Sequence, residues 1–134
     1  MEKRELDVSL PFLEHMGARL VDLGEGRARV GLDIEAWHLQ HLGFVHGGVI
    51  STLSDNTGWY AAMSKLPAGR TSVTTEIKIN YLKPAQGRYL EARARVLRRG
   101  KTLAFVVVEV YCDEQMIAYA TGSYAILEAA RFSR

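Results

Sequence analysis

The tripeptide His46-Gly47-Gly48 stands directly before the most helix-like segment of the chain, residues 49–65. Two glycines let the backbone approach a bound group closely, and the first turn of a helix presents N–H groups that lack intrahelical acceptors. At the positive end of the helix dipole, such donors can hold an anion or the oxyanion of an acyl-transfer transition state. The competing interpretation is a glycine-rich turn that only begins the helix.

Asp55, eight residues after Gly47, is a carboxylate within the same predicted helix. Such a residue is usually exposed to solvent, which is the competing interpretation. Trp59 and Met63 share its helical face, however, and indicate that this face is enclosed. Gly58 costs roughly 1 kcal/mol relative to alanine inside a helix, which favours close packing there. An enclosed carboxylate can act as a general base or as a nucleophile.

The spacing of Gly47 and Asp55 predicts an assembly of at least two chains. Eight residues of helix, at ~1.5 Å per residue, separate the two positions by roughly 12 Å. A base that activates water and a donor that holds a carbonyl oxygen must both come within a few ångströms of one carbon atom. If both residues act on one carbonyl, they therefore come from different subunits.

Other motif types are weaker or missing from the sequence. His38, His41 and His46 lie on no predicted helix, and no cysteine or carboxylate accompanies them at the spacing of metal ligands. There is no Gly-x-Ser-x-Gly turn for a nucleophilic serine, and no Walker or dinucleotide motif. We therefore expect neither a metal ion nor a bound cofactor.

A basic turn is predicted where Arg98, Arg99 and Lys101 surround Gly100. One interpretation is a solvated charged turn. The other is a docking point for ligand phosphates, because arginine offers forked donors and lysine a compact charge. Cys112 ends a predicted strand at an apolar position, which favours a packed core side chain.

The periodicity of apolar residues predicts an α+β fold. Residues 8–16 are typical of a short helix or turn that ends at Gly17, and a β-hairpin follows. After the helix at 49–65, which ends before Pro67, the period changes to two. We expect the last four strands to form an antiparallel meander that curls around the helix. The predicted strands are 18–23, 27–34, 71–82, 88–97, 102–112 and 115–127.

The strand at 102–112 has apolar residues on both faces. One face is apolar from Ala104 to Cys112, and the other carries Leu103, Phe105 and Val107. A sheet with a helix on one side and water on the other alternates more strictly. Because one helix cannot cover both faces, we expect another subunit to cover the second face.

The composition is that of a globular protein. The chain has 134 residues, of which 48% are apolar and 24% charged, and we expect a single domain, 1–134, with its core at about 15–127. The net charge of +2 predicts no nucleic-acid partner. Without a long apolar segment or a signal-peptide pattern, we expect a cytoplasmic protein with no membrane partner. The single cysteine excludes a disulfide framework.

Four stretches of the sequence, taken together, resemble a known family. They are Gln40-His-Leu-Gly-Phe-Val-His46-Gly-Gly, Thr52-Leu-Ser-Asp55-Asn, Ile79-Asn-Tyr-Leu-Lys-Pro84-Ala and Arg99-Gly-Lys-Thr-Leu-Ala-Phe105. The combination resembles the PaaI-like branch of the hotdog-fold acyl-CoA thioesterases, in the 4-hydroxybenzoyl-CoA thioesterase superfamily. The resemblance covers about residues 15–127. It implies a long helix wrapped by a five- or six-stranded antiparallel sheet, in homodimers that often associate into homotetramers.

The resemblance also implies roles for individual residues. Asp55 matches the catalytic carboxylate, which activates water or attacks the thioester itself. Gly47 matches the residue whose N–H polarises the thioester carbonyl, and His46 helps to shape that turn. Gln40 stands where the family usually carries asparagine as an amide that orients the thioester or the water. Thr74 matches a hydroxyl that hydrogen-bonds the water or the carboxylate of its own subunit.

Coenzyme A is implied as part of the substrate and not as a cofactor. The resemblance places it along Tyr81 and the basic turn, at Arg98, Arg99, Gly100, Lys101 and Thr102. Trp59, Tyr60 and Met63 suggest an acyl pocket suited to an aryl-acetyl or medium-chain group. Two other functions remain open: hydration of an enoyl thioester, and an acyl-CoA sensor without turnover.

Overall fold

The computed structural model describes residues 10–132. These residues form one long helix, one short helix and six strands, which confirms the predicted α+β class. The short helix α1 lies within the segment predicted at 8–16, of which residues 8 and 9 fall outside the described part. The elements are α1 Pro11–His15, β1 Ala18–Gly24, β2 Arg27–Asp33, α2 Gly47–Met63, β3 Arg70–Tyr81, β4 Tyr89–Arg99, β5 Leu103–Cys112 and β6 Gln115–Glu128. Two 3₁₀ turns, Ala36–His38 and Ala129–Phe132, complete them.

The six strands form one antiparallel sheet in the order β1-β2-β4-β5-β6-β3. The predicted four-strand meander is therefore wrong in one respect, because β3 pairs with β6 and not with β4. The physical reason is that residues 82–88 form a crossover instead of a hairpin turn. Its backbone binds elsewhere, with Leu82 N–H donating to Ile117 O at 2.9 Å and Val45 N–H donating to Ala85 O at 2.9 Å.

The inner face of the sheet packs against α2, which contacts β2, β3, β4, β5 and β6. In β5 this face is almost fully buried from Ala104 to Cys112. On the outer face Val107 is buried, but Leu103 and Phe105 are 49% and 40% exposed. The second apolar face therefore exists as predicted, and a single chain covers only part of it.

Close packing at Gly58 is confirmed. A Cβ atom there would overlap the hydroxyl group of Tyr124, a side chain of β6 that is fully buried. A Cβ atom at Gly122 would lie 2.9 Å from the Tyr124 ring. The two glycines therefore make room for one large aromatic residue between α2 and the sheet.

The turn between β5 and β6 is made by two non-glycine residues with positive φ, Asp113 at 46° and Glu114 at 69°. This backbone suits the right-handed twist of a two-residue hairpin. The Asp113 carboxylate accepts hydrogen bonds from Arg88 N–H at 2.9 Å and Tyr89 N–H at 3.0 Å. The turn thus holds the end of the 82–88 crossover where β4 begins.

No helix in the described part of the chain is long and apolar enough to cross a membrane.

Candidate active site

The N-terminus of α2 presents one free backbone donor. His46 is the N-cap residue, and its Nδ1 accepts a hydrogen bond from Gly48 N–H at 2.8 Å. The Val49 N–H donates to His46 O at 3.0 Å. Gly47 N–H has no acceptor within residues 10–132, so it remains available at the positive end of the helix dipole.

A cavity of about 340 Å³ lies beside Gly47. Apart from Ile50 of α2, its other lining residues come from the loop before α2, the end of β3 and the crossover that follows it. The Tyr81 hydroxyl donates to Gly47 O at 3.1 Å, which holds this wall against the helix. The wall includes Gln40, Phe44, Tyr81, Leu82 and Pro84.

Gln40 borders this cavity and also shapes the loop that forms it. Its Oε1 accepts hydrogen bonds from Leu42 N–H and from Phe44 N–H. The side-chain NH₂ group donates to no residue in the described part, so it is the end of the amide left for a ligand. Gln40 and Gly47 therefore border the same cavity.

Asp55 lies two turns further along α2 and is half-buried. Thr74 Oγ1 donates to its Oδ1 at 2.7 Å. The Tyr124 hydroxyl donates to Asp55 O at 2.9 Å and lies 3.4 Å from the same Oδ1. Oδ2 accepts no hydrogen bond from residues 10–132, so one carboxylate oxygen is held and the other is free.

Sequence reasoning missed Tyr124 at this site. Burial, reinforced by the Asp55 carboxylate, raises the pKa of Tyr124, so the phenol stays protonated and can only donate to Asp55. The available signal was the pair of glycines, Gly58 in the helix and Gly122 in the strand. Nothing in the sequence pattern shows which side chain would fill the space between them.

The predicted acyl-pocket residues differ in exposure. Trp59 is half-buried, and its Nε1 donates to Ser72 O at 3.0 Å. Tyr60 and Met63 are 7% and 3% exposed and pack inside the chain. Of the three, only Trp59 offers substantial surface to a ligand on this subunit.

The basic residues predicted to contact coenzyme A lie at the β4–β5 turn. Gly100 N–H donates to Leu103 O at 2.7 Å and closes this turn. Arg98, Arg99, Lys101 and Thr102 are exposed, and the three cations make no ion pair with other described residues.

In the described part of the chain, His38, His41 and His46 are not grouped as metal ligands. His38 is buried, its Nδ1 accepts from Glu35 N–H at 2.9 Å, and its Nε2 donates to Met16 O at 2.8 Å. Within residues 10–132 no three His, Cys, Asp or Glu side chains are grouped closely enough to hold a metal ion.

The structure divides the candidate residues between two places on α2. The donor half consists of Gln40, His46, Gly47 and Tyr81. The acid half consists of Asp55, Thr74 and Tyr124. Within one chain the helix keeps Gly47 and Asp55 roughly 12 Å apart. Each half is an organised group of residues, but neither contains both a carbonyl donor and a base.

Comparison with known proteins identifies the family. The thioesterase superfamily model matches residues 42–119. Human acyl-coenzyme A thioesterase 13 is 34% identical over 92 residues, which are 68% of this chain and 65% of that protein.

Solved structures agree with this match. A thioesterase family protein from Silicibacter pomeroyi superimposes with a TM-score of 0.86 and 32% identity, over 89% of this chain and 90% of that one. A variant of the phenylacetic acid degradation protein PaaI from Thermus thermophilus superimposes with a TM-score of 0.80 and 29% identity, over 87% and 99% of the two chains. The resemblance in the sequence is thereby confirmed: this chain belongs to the thioesterase superfamily and is a thioester hydrolase with the PaaI-like hotdog fold.

Proposed function

We propose that this protein hydrolyses acyl-CoA thioesters in a site shared between two copies of the chain. The observation that carries the proposal is that the candidate residues form two separate groups along α2, each of them incomplete as an active site. Among residues 10–132, Gly47 offers a free donor but has no base beside it, and Asp55 offers a free carboxylate oxygen but has no carbonyl donor beside it. If the donor half of each chain faces the acid half of the other, two chains form two complete sites.

The exposed edge of the sheet supports this arrangement. β3 is 12 residues long, and within residues 10–132 it pairs on one side only, with β6. Long open edges are templates for pairing with another chain. A two-fold axis at β3 would set two copies of α2 side by side in opposite directions, with the Gly47 of each toward the Asp55 of the other. The exposed Leu103 and Phe105 on the outer face support a further contact, as in a homotetramer.

In the proposed reaction, Gly47 N–H holds the thioester carbonyl oxygen and stabilises the negative charge that develops there. Oδ2 of the opposite Asp55 takes a proton from water, and the hydroxide attacks the carbonyl carbon. The C–S bond of the tetrahedral intermediate then breaks, and the proton returns to the leaving sulfur. Direct attack by Asp55, with an acyl anhydride that water later hydrolyses, uses the same geometry.

Substrate binding follows from the surroundings of the two halves. We propose that phosphates of coenzyme A meet the exposed cations of the β4–β5 turn. The cavity beside Gly47 is lined mainly by apolar side chains, including Phe44 and Leu82. It provides room, together with Trp59 of the opposite subunit, for an aryl-acetyl or medium-chain acyl group.

The hydrogen bonds of His46 favour hydrolysis over hydration of an enoyl thioester. Hydration of that kind needs a histidine that moves protons, and Nδ1 of His46 is engaged by Gly48 N–H. The organised carboxylate of Asp55 favours turnover over a sensor that only binds.

Mixing two inactive variants tests the shared site. Chains with Gly47→Pro and chains with Asp55→Asn are mixed, unfolded and refolded together, and thiol release from phenylacetyl-CoA and octanoyl-CoA is measured. Random pairing yields sites with an intact Gly47 and an intact Asp55, and activity should return to about one quarter of the wild-type value in dimers. Each variant refolded alone is the control. No recovery, with chain exchange shown by mass spectrometry of differently tagged chains, would place the whole site within one chain.

A further inference from the structure

We infer that Tyr124 is a positioning residue that fixes the orientation of the Asp55 carboxylate. The inference rests on the proposed role of Asp55 and adds to it a second hydroxyl, contributed from beneath the helix. Nothing in the sequence motifs pointed to this residue.

The first argument is the convergence of two hydroxyl groups on one oxygen. Thr74 on β3 and Tyr124 on β6 are directly paired across the two strands. Thr74 Oγ1 lies 2.7 Å from Asp55 Oδ1, and the Tyr124 hydroxyl lies 3.4 Å from the same atom while donating to Asp55 O at 2.9 Å. A pair of neighbouring strands therefore holds one side of the carboxylate, and Oδ2 is left on the other side.

The second argument is the room made for the phenol. Tyr124 is fully buried, and it occupies the space opened by Gly58 and Gly122. Glycine within a helix or a strand weakens that element by ~0.5–1 kcal/mol relative to alanine. If the site needed only apolar volume, phenylalanine would supply it without burying a hydroxyl that must find an acceptor.

The third argument is chemical. Because the buried phenol remains protonated, it donates at every pH at which a thioesterase is assayed. Thr74 donates to Oδ1, and Tyr124 donates to Asp55 O while its hydroxyl lies 3.4 Å from Oδ1. Together the two hydroxyl groups restrict rotation of the carboxylate about its last side-chain bond. The lone pairs of Oδ2 then keep one direction, toward the water or carbonyl of the opposite subunit. Fixed orientation of this kind affects the chemical step more than substrate binding.

The Tyr124→Phe variant tests the inference, because it removes the hydroxyl and keeps the ring between the two glycines. Hydrogen bonds to charged groups predict a fall in kcat of about tenfold or more, with KM changed less than twofold. Tyr119→Phe is the matched control, since Tyr119 lies on the same strand on the opposite face of the sheet, and it should leave both parameters unchanged. Far-UV circular dichroism of Tyr124→Phe should match the wild type, and thermal unfolding should show that the variant, although less stable, is fully folded at the assay temperature.

A double-mutant cycle separates positioning from general structure. Thr74→Val and Tyr124→Phe act on the same oxygen, so their combined loss in kcat should differ from the product of the single losses. Multiplicative losses, or losses that only follow the fraction of folded protein, would overturn the inference. Wild-type kcat in Tyr124→Phe, with Asp55→Asn inactive, would overturn it and leave the proposed function standing. Normal turnover in Asp55→Asn would overturn the proposed function itself.

Discussion

The two halves of the site lie along one helix, yet they differ in how neighbouring residues hydrogen-bond their polar groups. In the acid half, Oδ1 of Asp55 is bound by Thr74 and approached by Tyr124. In the donor half, His46 binds Gly48 N–H and leaves Gly47 N–H without an acceptor in the described chain. In the acid half, neighbouring hydroxyl groups fix the carboxylate. In the donor half, the cap binds one N–H group and leaves the other free.

This difference fits what each half would do in the proposed reaction. A donor for an oxyanion is useful only if it is unengaged before the substrate arrives and needs no reorientation afterwards. A carboxylate that takes a proton from water must instead be held in place, because a lone pair that points away from the water cannot accept the proton efficiently. One helix can serve both needs, because the N–H groups of its first turn lack intrahelical acceptors and its middle carries side chains against the sheet.

Removing the charge of the acid half should give the largest effect. Asp55→Asn keeps an oxygen that Thr74 can bind, so the variant should fold normally. Loss of the base should lower kcat by about 10²–10⁴-fold. Thiol release under saturating substrate measures the loss, and near wild-type turnover would refute the role of Asp55.

Removing the free donor should give the next largest effect. Proline is well tolerated at the first position of a helix, and His46, with φ −60° and ψ 134°, already has the extended backbone required before proline. Gly47→Pro should therefore fold and lower kcat by about 10²–10³-fold. Gly47→Ala is the control, because it keeps the N–H and its Cβ would lie at an ordinary 3.5 Å from the Tyr81 ring. Equal losses in both variants would show that bulk, and not the missing donor, is responsible.

Removing the cap should give the smallest effect. His46→Ala frees Gly48 N–H but leaves Gly47 N–H untouched, so activity should fall only a few-fold. The free energy of unfolding should decrease by about 1 kcal/mol, as measured by urea denaturation at fixed protein concentration. His46→Asn should restore most of this stability, since asparagine is a good N-cap. A loss of activity as large as that of Gly47→Pro would indicate a direct catalytic role for His46.

The elements that depend on local pattern were predicted well. The six strands match their predicted positions within a few residues, because period-two alternation marks them directly. The helix begins at Gly47, two residues before its predicted start. The prediction missed this start because glycines suggest a loop and histidine is not among the preferred N-caps. The predicted roles of Asp55 and Gly47 remain predictions, but their separation along one helix followed from spacing alone.

The features that depend on distant contacts were not predictable in the same way. The segment around Pro84 has the composition of a tight turn, and its composition does not show that it crosses over and leaves β3 beside β6. Tyr124 lies 69 residues from Asp55, in a strand whose alternation predicts only an inward-facing side chain. Which inward residue meets which part of the helix is decided by sheet register and by the space at Gly58.

The hairpin turn at Asp113 holds one end of the 82–88 crossover in place. Its carboxylate holds the backbone of Arg88 and Tyr89. The crossover that ends there also carries Pro84, part of the wall of the cavity beside Gly47. A substitution of Asp113 would remove these two hydrogen bonds and loosen the crossover that carries that wall. In the proposed function this cavity holds the acyl group, so a mutation of this turn should change selectivity among acyl groups.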